Sequence, residues 1–125
     1  MKAFTDIEQS KNLSKILPPD SADMCYRIVA YNPNDTHVYQ PYCFVGTLES
    51  DIPCWSLTAL LDVFPCSKES PIVNLTRGGW IPSFTRRWFA TWEDEDKNVF
   101  YSGDGITPVD AVVELILKLH EQKLL

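Results

Sequence analysis

A chain of 125 residues with a 45% hydrophobic fraction fits one domain, 1–125, with a core of its own, and excludes global disorder. Its net charge of -6 disfavours a phosphate backbone as the main partner, because that affinity comes from Lys and Arg displacing counterions. The opening run Met1-Lys2-Ala3-Phe4-Thr5-Asp6-Ile7-Glu8 lacks the apolar segment of an export signal, and Glu114, Lys118 and His120 break the longest apolar stretch. The expectation is a cytoplasmic protein with no membrane span, in which Cys25, Cys43, Cys54 and Cys66 are free thiols.

In chain order, Thr5-Asp6-Ile7-Glu8 has the form of a capping box, with Phe4 before it to pack on the turn at Gln9. Leu13, Ile16 and Leu17 give this first helix an apolar edge, and Pro18-Pro19 stops it. Residues 20–23 read as a turn, and residues 25–31 as a strand by their alternation and β-branched or aromatic content. Asn32-Pro33-Asn34-Asp35 is a turn signal; residues 38–48 return as one or two strands, with Pro41 marking an edge or a bulge. Two prolines bracket residues 53–65, which predict a helix of about three turns. Its apolar stripe is Leu57, Leu60, Leu61 and Phe64, and Trp55 anchors it in the core. Residues 72–76 predict a strand, 83–93 another, and 99–101 a partner for it across an acidic turn. A last helix begins at Thr107, with Pro108 at its first position and Asp110 in its first turn. The order implies an α+β domain: an antiparallel sheet of 4–6 strands with N-terminal, central and C-terminal helices mainly on one face.

The one local concentration of positive charge is the basic-aromatic segment 77–89. Arg77, Trp80, Arg86 and Arg87 are its binding candidates, the arginines for phosphate and the aromatic for stacking. Strand alternation offers a plainer account, with Phe84, Trp88, Ala90 and Trp92 on a core face and Thr85, Arg87, Thr91 and Glu93 outward. Arg86 then falls on the apolar face, where it snorkels or pairs with an acid. Asp94-Glu95-Asp96-Lys97-Asn98 opens like a calcium loop but has Val99 and Gly105 where such a loop needs Gly and Glu. The four cysteines are too widely spaced for a zinc site, so no metal and no cofactor are expected. Ser102-Gly103-Asp104-Gly105 reads as a glycine loop before a helix N-terminus, without phosphate-loop spacing. No nucleophile with an adjacent base can be assembled, so no catalytic residue is assigned.

Ala22-Asp23-Met24 before a tyrosine-bearing strand, Pro53-Cys54-Trp55-Ser56-Leu57 with Leu60-Leu61 and Pro65, and Thr107-Pro108-Val109-Asp110-Ala111 before a Leu-rich helix follow in that order. Over residues 22–119 the chain thereby resembles an uncharacterised family of small proteins encoded by Bacteroides-type gut bacteria and by their prophages and mobile elements. The resemblance implies an intracellular accessory protein of phage or mobile-element origin and brings no activity, cofactor or site residue with it. The expected function is a non-enzymatic interaction protein that binds another protein or itself. The alternatives are a nucleic-acid-associated accessory protein using the 77–89 segment, or a small enzyme whose site assembles from distant residues. Self-association is expected through the last helix. Leu115 and Leu117 fall outside its main stripe of Val109, Val112, Val113, Ile116, Leu119 and His120, and Leu124-Leu125 end the chain.

Overall fold

Where hydrophobic periodicity changes, so does the backbone. The computed structural model describes residues 2–34, 36–64, 72–77, 87–94 and 99–125. In chain order these form α1 (Ile7–Ser14), a single 3-10 turn (Pro19–Ser21), β1 (Met24–Tyr31), β2 (His37–Tyr42), β3 (Ile52–Cys54) and α2 (Leu57–Asp62). Then come β4 (Ile72–Arg77), β5 (Trp88–Asp94), β6 (Val99–Gly105) and α3 (Pro108–Glu121). The fold is α+β and its pairings are antiparallel, with the strands divided between two sheets, β2-β1-β3 and β4-β5-β6. Each sheet has its own helix: α1 packs beside β3, and α3 lies across β5 and β6. Trp55 and α2 fill the seam between them.

The first helix starts one residue later than the Thr5 box implies. Asp6 is the cap: its carboxylate accepts the Gln9 amide at 2.8 Å, and the Gln9 side chain accepts the Asp6 amide at 3.1 Å. Thr5 is committed elsewhere, because its buried hydroxyl bonds Ser10 Oγ at 2.7 Å and accepts the Trp55 amide at 3.1 Å. Phe4 does not pack on the Gln9 turn either; its ring meets Tyr26, and its backbone bridges to Ser56.

The central helix is shorter than the two prolines suggest. Pro53 sits in β3 opposite Cys25, an edge position that tolerates a missing N–H, and the helix is capped by Ser56, whose hydroxyl accepts the Ala59 amide at 3.2 Å. Pro65 lies outside the described residues. Leu60 and Phe64 are buried, whereas Leu61 is 38% exposed and does not share their stripe. Trp55 is completely buried, and its indole N–H donates to Ser21 Oγ at 3.0 Å.

The second sheet is shaped to receive a helix. Its inner face pairs Ala90 with Gly103 and Trp88 with Gly105, flanked by the Trp92–Tyr101 pair. The expected glycine loop is thus part of strand β6. A Cβ on Gly103 would lie 2.5 Å from the Ala111 carbonyl oxygen, so glycine is what lets α3 rest directly on the sheet. On α3, Val109, Val112, Val113, Leu115, Ile116 and Leu119 are all buried, each full burial being worth about 1.5–3 kcal/mol. The open edge of β6 is covered by the same helix: Lys118 donates to the Ser102 carbonyl at 2.7 Å, and Glu114 accepts the Asp104 amide at 3.3 Å. Asp110 ties α3 to the start of the chain, accepting from Lys2 at 2.7 Å, Gln9 at 2.9 Å and Thr107 at 2.8 Å.

The surplus apolar surface that suggested a dimer through α3 is accounted for within one chain. Leu115 is fully buried, and Leu117, Leu124 and Leu125 pack against the same core as Leu13 and Leu17 of the N-terminal segment.

Candidate functional site

Arg77 and Arg87, the two arginines of the basic-aromatic segment among the described residues, each meet a neighbouring side chain. Arg87 Nε donates to Asp104 Oδ2 at 2.7 Å, and the Arg77 guanidinium lies 5.9 Å from the Trp88 ring centre. Trp80 and Arg86 lie outside the described residues, as do Phe84, Thr85 and residues 95–98 of the calcium-like turn. Trp88, Ala90 and Trp92 do share the core face.

The structure instead gathers unusual surface at the β1–β2 hairpin. Along β1 burial fades: Met24, Cys25 and Tyr26 are buried, Arg27 and Ile28 half-buried, and Val29, Ala30 and Tyr31 exposed. The pairing slips between Ile28 and Ala30, leaving Val29 as a bulge. Because side chains alternate with period two, this extra residue exchanges the faces of Ala30 and Tyr31. Tyr31 therefore falls opposite His37 and on the same face as Tyr39. The rings follow, with Tyr31–His37 centroids 4.9 Å apart and His37–Tyr39 centroids 6.2 Å apart. The result is a strip of aromatic edges with Tyr31 74% exposed.

The segment after β2 folds back over the other face of the sheet and is held by one carboxylate. Asp51 accepts Arg27 Nε at 3.0 Å and Arg27 Nη2 at 2.8 Å, and also the amides of Thr47 at 3.1 Å and Leu48 at 2.9 Å. The Arg27 guanidinium beside it, helped by those amides, holds its carboxyl down at about 2. The Phe44 ring stacks over Arg27 at 5.0 Å, and Gly46 passes so near that a Cβ there would come within 2.7 Å of Asp51 Cβ. Between this loop and the 3-10 turn opens a cleft of about 460 Å³.

Cys25, Cys54 and Tyr26 are buried in structural roles, while the Cys43 thiol is exposed. Cys54 is fully buried, its thiol donating to the Thr5 carbonyl at 3.4 Å; burial pushes the thiol up in spite of hydrogen bonds from Thr5, Ser10 and Tyr26. Burial pushes the Tyr26 phenol up to about 12, and it donates to the same Thr5 carbonyl at 2.7 Å. Burial likewise raises the Cys25 thiol. Among the described residues, Cys25, Cys43 and Cys54 are unbridged, no three potential metal ligands cluster, and no helix is long and apolar enough to cross a membrane. Comparison with protein-family models, curated proteins and solved structures finds no match to this chain.

Proposed function

We propose that this is a non-enzymatic intracellular accessory protein, of the phage or mobile-element kind, that binds another protein through the far end of the β1–β2 hairpin and the adjoining 43–51 loop. One observation carries the reading. Nine large hydrophobic side chains are exposed among the described residues, and six of them lie between positions 29 and 48: Val29, Tyr31, Val38, Phe44, Val45 and Leu48. They lie on both faces of the hairpin end and on the loop that follows it, and exposed apolar and aromatic side chains of this kind are what interface cores are made of. Pro41, on the edge strand β2, and the Val29 bulge both oppose strand-on-strand addition, so the faces and not the edge do the binding. The three unbridged cysteines support a reducing compartment.

Photo-crosslinking in cells that carry the protein tests this. A photoreactive residue at position 31 or 44 should give one protein adduct, lost when Val29 and Val38 are both replaced by Ser. The control is position 100, since Phe100 is 61% exposed on the other sheet. Equal adducts from position 100, or adducts of this chain with itself alone, would refute the reading.

A further inference from the structure

The cleft beside the hairpin has a composition that selects its occupant. Its lining is mostly apolar, with Pro19, Pro53, Met24, Val45 and Leu48 among the residues that form it. At about 460 Å³ it falls within the size of pockets that take ligands, which run from about 300 to about 1,000 Å³. Val45 and Leu48 are each about half exposed, so an occupant would bury surface that the chain alone leaves wet. Two carboxylates line the cleft, Asp20 and Asp51, and among the described residues no cation does.

The two acids are not equivalent. Asp51 already accepts four hydrogen bonds, two from Arg27 and two from loop amides, and its charge is matched by that guanidinium. Its work is to hold the wall of the cleft in place. Asp20 is exposed and forms no ion pair among the described residues. A cleft with greasy walls and one unmatched carboxylate at the mouth, on a chain of net charge -6, complements an apolar segment carrying a cation.

We infer that the cleft receives a short lysine-bearing apolar segment of the partner protein, with the ammonium at Asp20 and the flanking apolar side chains against Met24, Val45 and Leu48. This rests on the reading of the molecule as a protein-binding module, and it can fail separately. The test uses end-blocked tripeptides and the intact protein, read by amide NMR shifts. Leu-Lys-Leu should bind saturably and shift the amides of Ala22, Met24, Val45 and Leu48. Leu-Glu-Leu and Ser-Lys-Ser should bind about tenfold more weakly, one for lack of the charge and the other for lack of the walls. Asp20→Asn, a surface change, should weaken Leu-Lys-Leu by about threefold and shrink its advantage over Leu-Glu-Leu. Leu48→Ser should weaken Leu-Lys-Leu while leaving Ser-Lys-Ser unchanged. Phe100→Ser, an exposed change on the other sheet, should leave all peptide binding intact. Equal binding of the Lys and Glu peptides, no change with Asp20→Asn, or shifts confined to other residues would overturn the inference. So would n-hexylamine binding as tightly as Leu-Lys-Leu, which would make the ligand a small amine.

Discussion

Gly103→Ala should unseat the C-terminal helix. The new methyl carbon would stand 2.5 Å from the Ala111 carbonyl oxygen and 3.0 Å from Leu115 Cα, where ordinary contact begins at 3.4 Å. The obstacles are backbone atoms in the middle of α3, so no rotamer change relieves them; the helix itself must move by roughly an ångström in a close-packed interior. Overpacking of this kind costs about 1–3 kcal/mol, and a backbone obstacle places it in the upper half of that range. Replacing glycine also restricts the unfolded chain, which returns about 0.4–1 kcal/mol. The net expectation is a loss of about 2 kcal/mol. With a urea slope of about 1–3 kcal/mol per molar, the midpoint by circular dichroism should fall by about 1 M. Gly105→Ala, whose Cβ would lie 2.5 Å from Asp110 Cβ, should behave alike, and the double variant should cost less than the sum because both changes push on one helix. An unchanged or higher midpoint for Gly103→Ala would show that α3 does not rest on β6 as described.

Trp55→Ala should cost about 3–5 kcal/mol, as aromatic truncation in a core does; a urea midpoint that moves by the equivalent of less than about 1 kcal/mol would place Trp55 at the surface. Asp51 has a depressed folded value near 2, so its stabilising contribution is full above the unfolded value of about 3.9 and is lost as pH falls through about 2. The stability gap between wild type and Asp51→Asn should hold steady from pH 7 to pH 5 and close towards pH 2; a gap that persists at pH 2 would sink the assignment. Among the described cysteines, iodoacetamide should modify exposed Cys43 in the native protein, and Cys25 and Cys54 only after denaturation without reductant. Peptide mass mapping checks this, and a thiol that reacts only after reduction would contradict the proposed cytoplasmic location.

Local chemistry was legible where one residue type answers to one backbone need. Thr107, Pro108 and Asp110 announce the start of α3, and Thr107 does cap it, accepting the Asp110 amide at 3.2 Å. The alternation of Trp88, Ala90 and Trp92 gave the core face of β5, and Pro41 its place on an edge strand. What misled was chemistry that two positions could satisfy. Thr5 and Asp6 are both good caps, and only the demand of buried Ser10 and the Trp55 amide for a hydroxyl decides between them. Pro53 suits a helix start as well as an edge strand, and pairing with Cys25 settles it. Gly103 and Gly105 looked like a loop because the approach of α3 is a tertiary fact with no local signature. The hairpin surface has a weak signature in the sequence. Val29, Ala30 and Tyr31 are apolar on both alternating faces, a pattern that suits a strand buried on both sides and not one in a hairpin covered on neither.

That exposure follows from a mismatch of lengths. An eight-residue helix such as α1 is about 12 Å long and an eight-residue strand such as β1 about 26 Å, and α1 meets this sheet chiefly at the three-residue β3, which pairs only with Met24–Tyr26, so the far end of β1 lies beyond it. Beyond that point the hairpin stands clear of its own core, and stability there would be served as well by polar residues. Removing it should therefore separate binding from folding. Ile28 and Tyr39 are direct partners across the ladder, so replacing residues 29–38 by Asn-Gly joins them in a two-residue turn of the favoured kind. The deleted large side chains, Val29, Tyr31 and Val38, are exposed, and the loop that must close becomes shorter, so stability should stay within about 1 kcal/mol of wild type. The crosslinked adduct from position 44 should disappear with the hairpin, because Phe44 alone cannot hold a partner whose aromatic contacts are gone. A shortened protein that unfolds at markedly lower urea would show that the hairpin end is part of the fold's own support. One that keeps its adduct would move the binding surface onto the 43–51 loop alone.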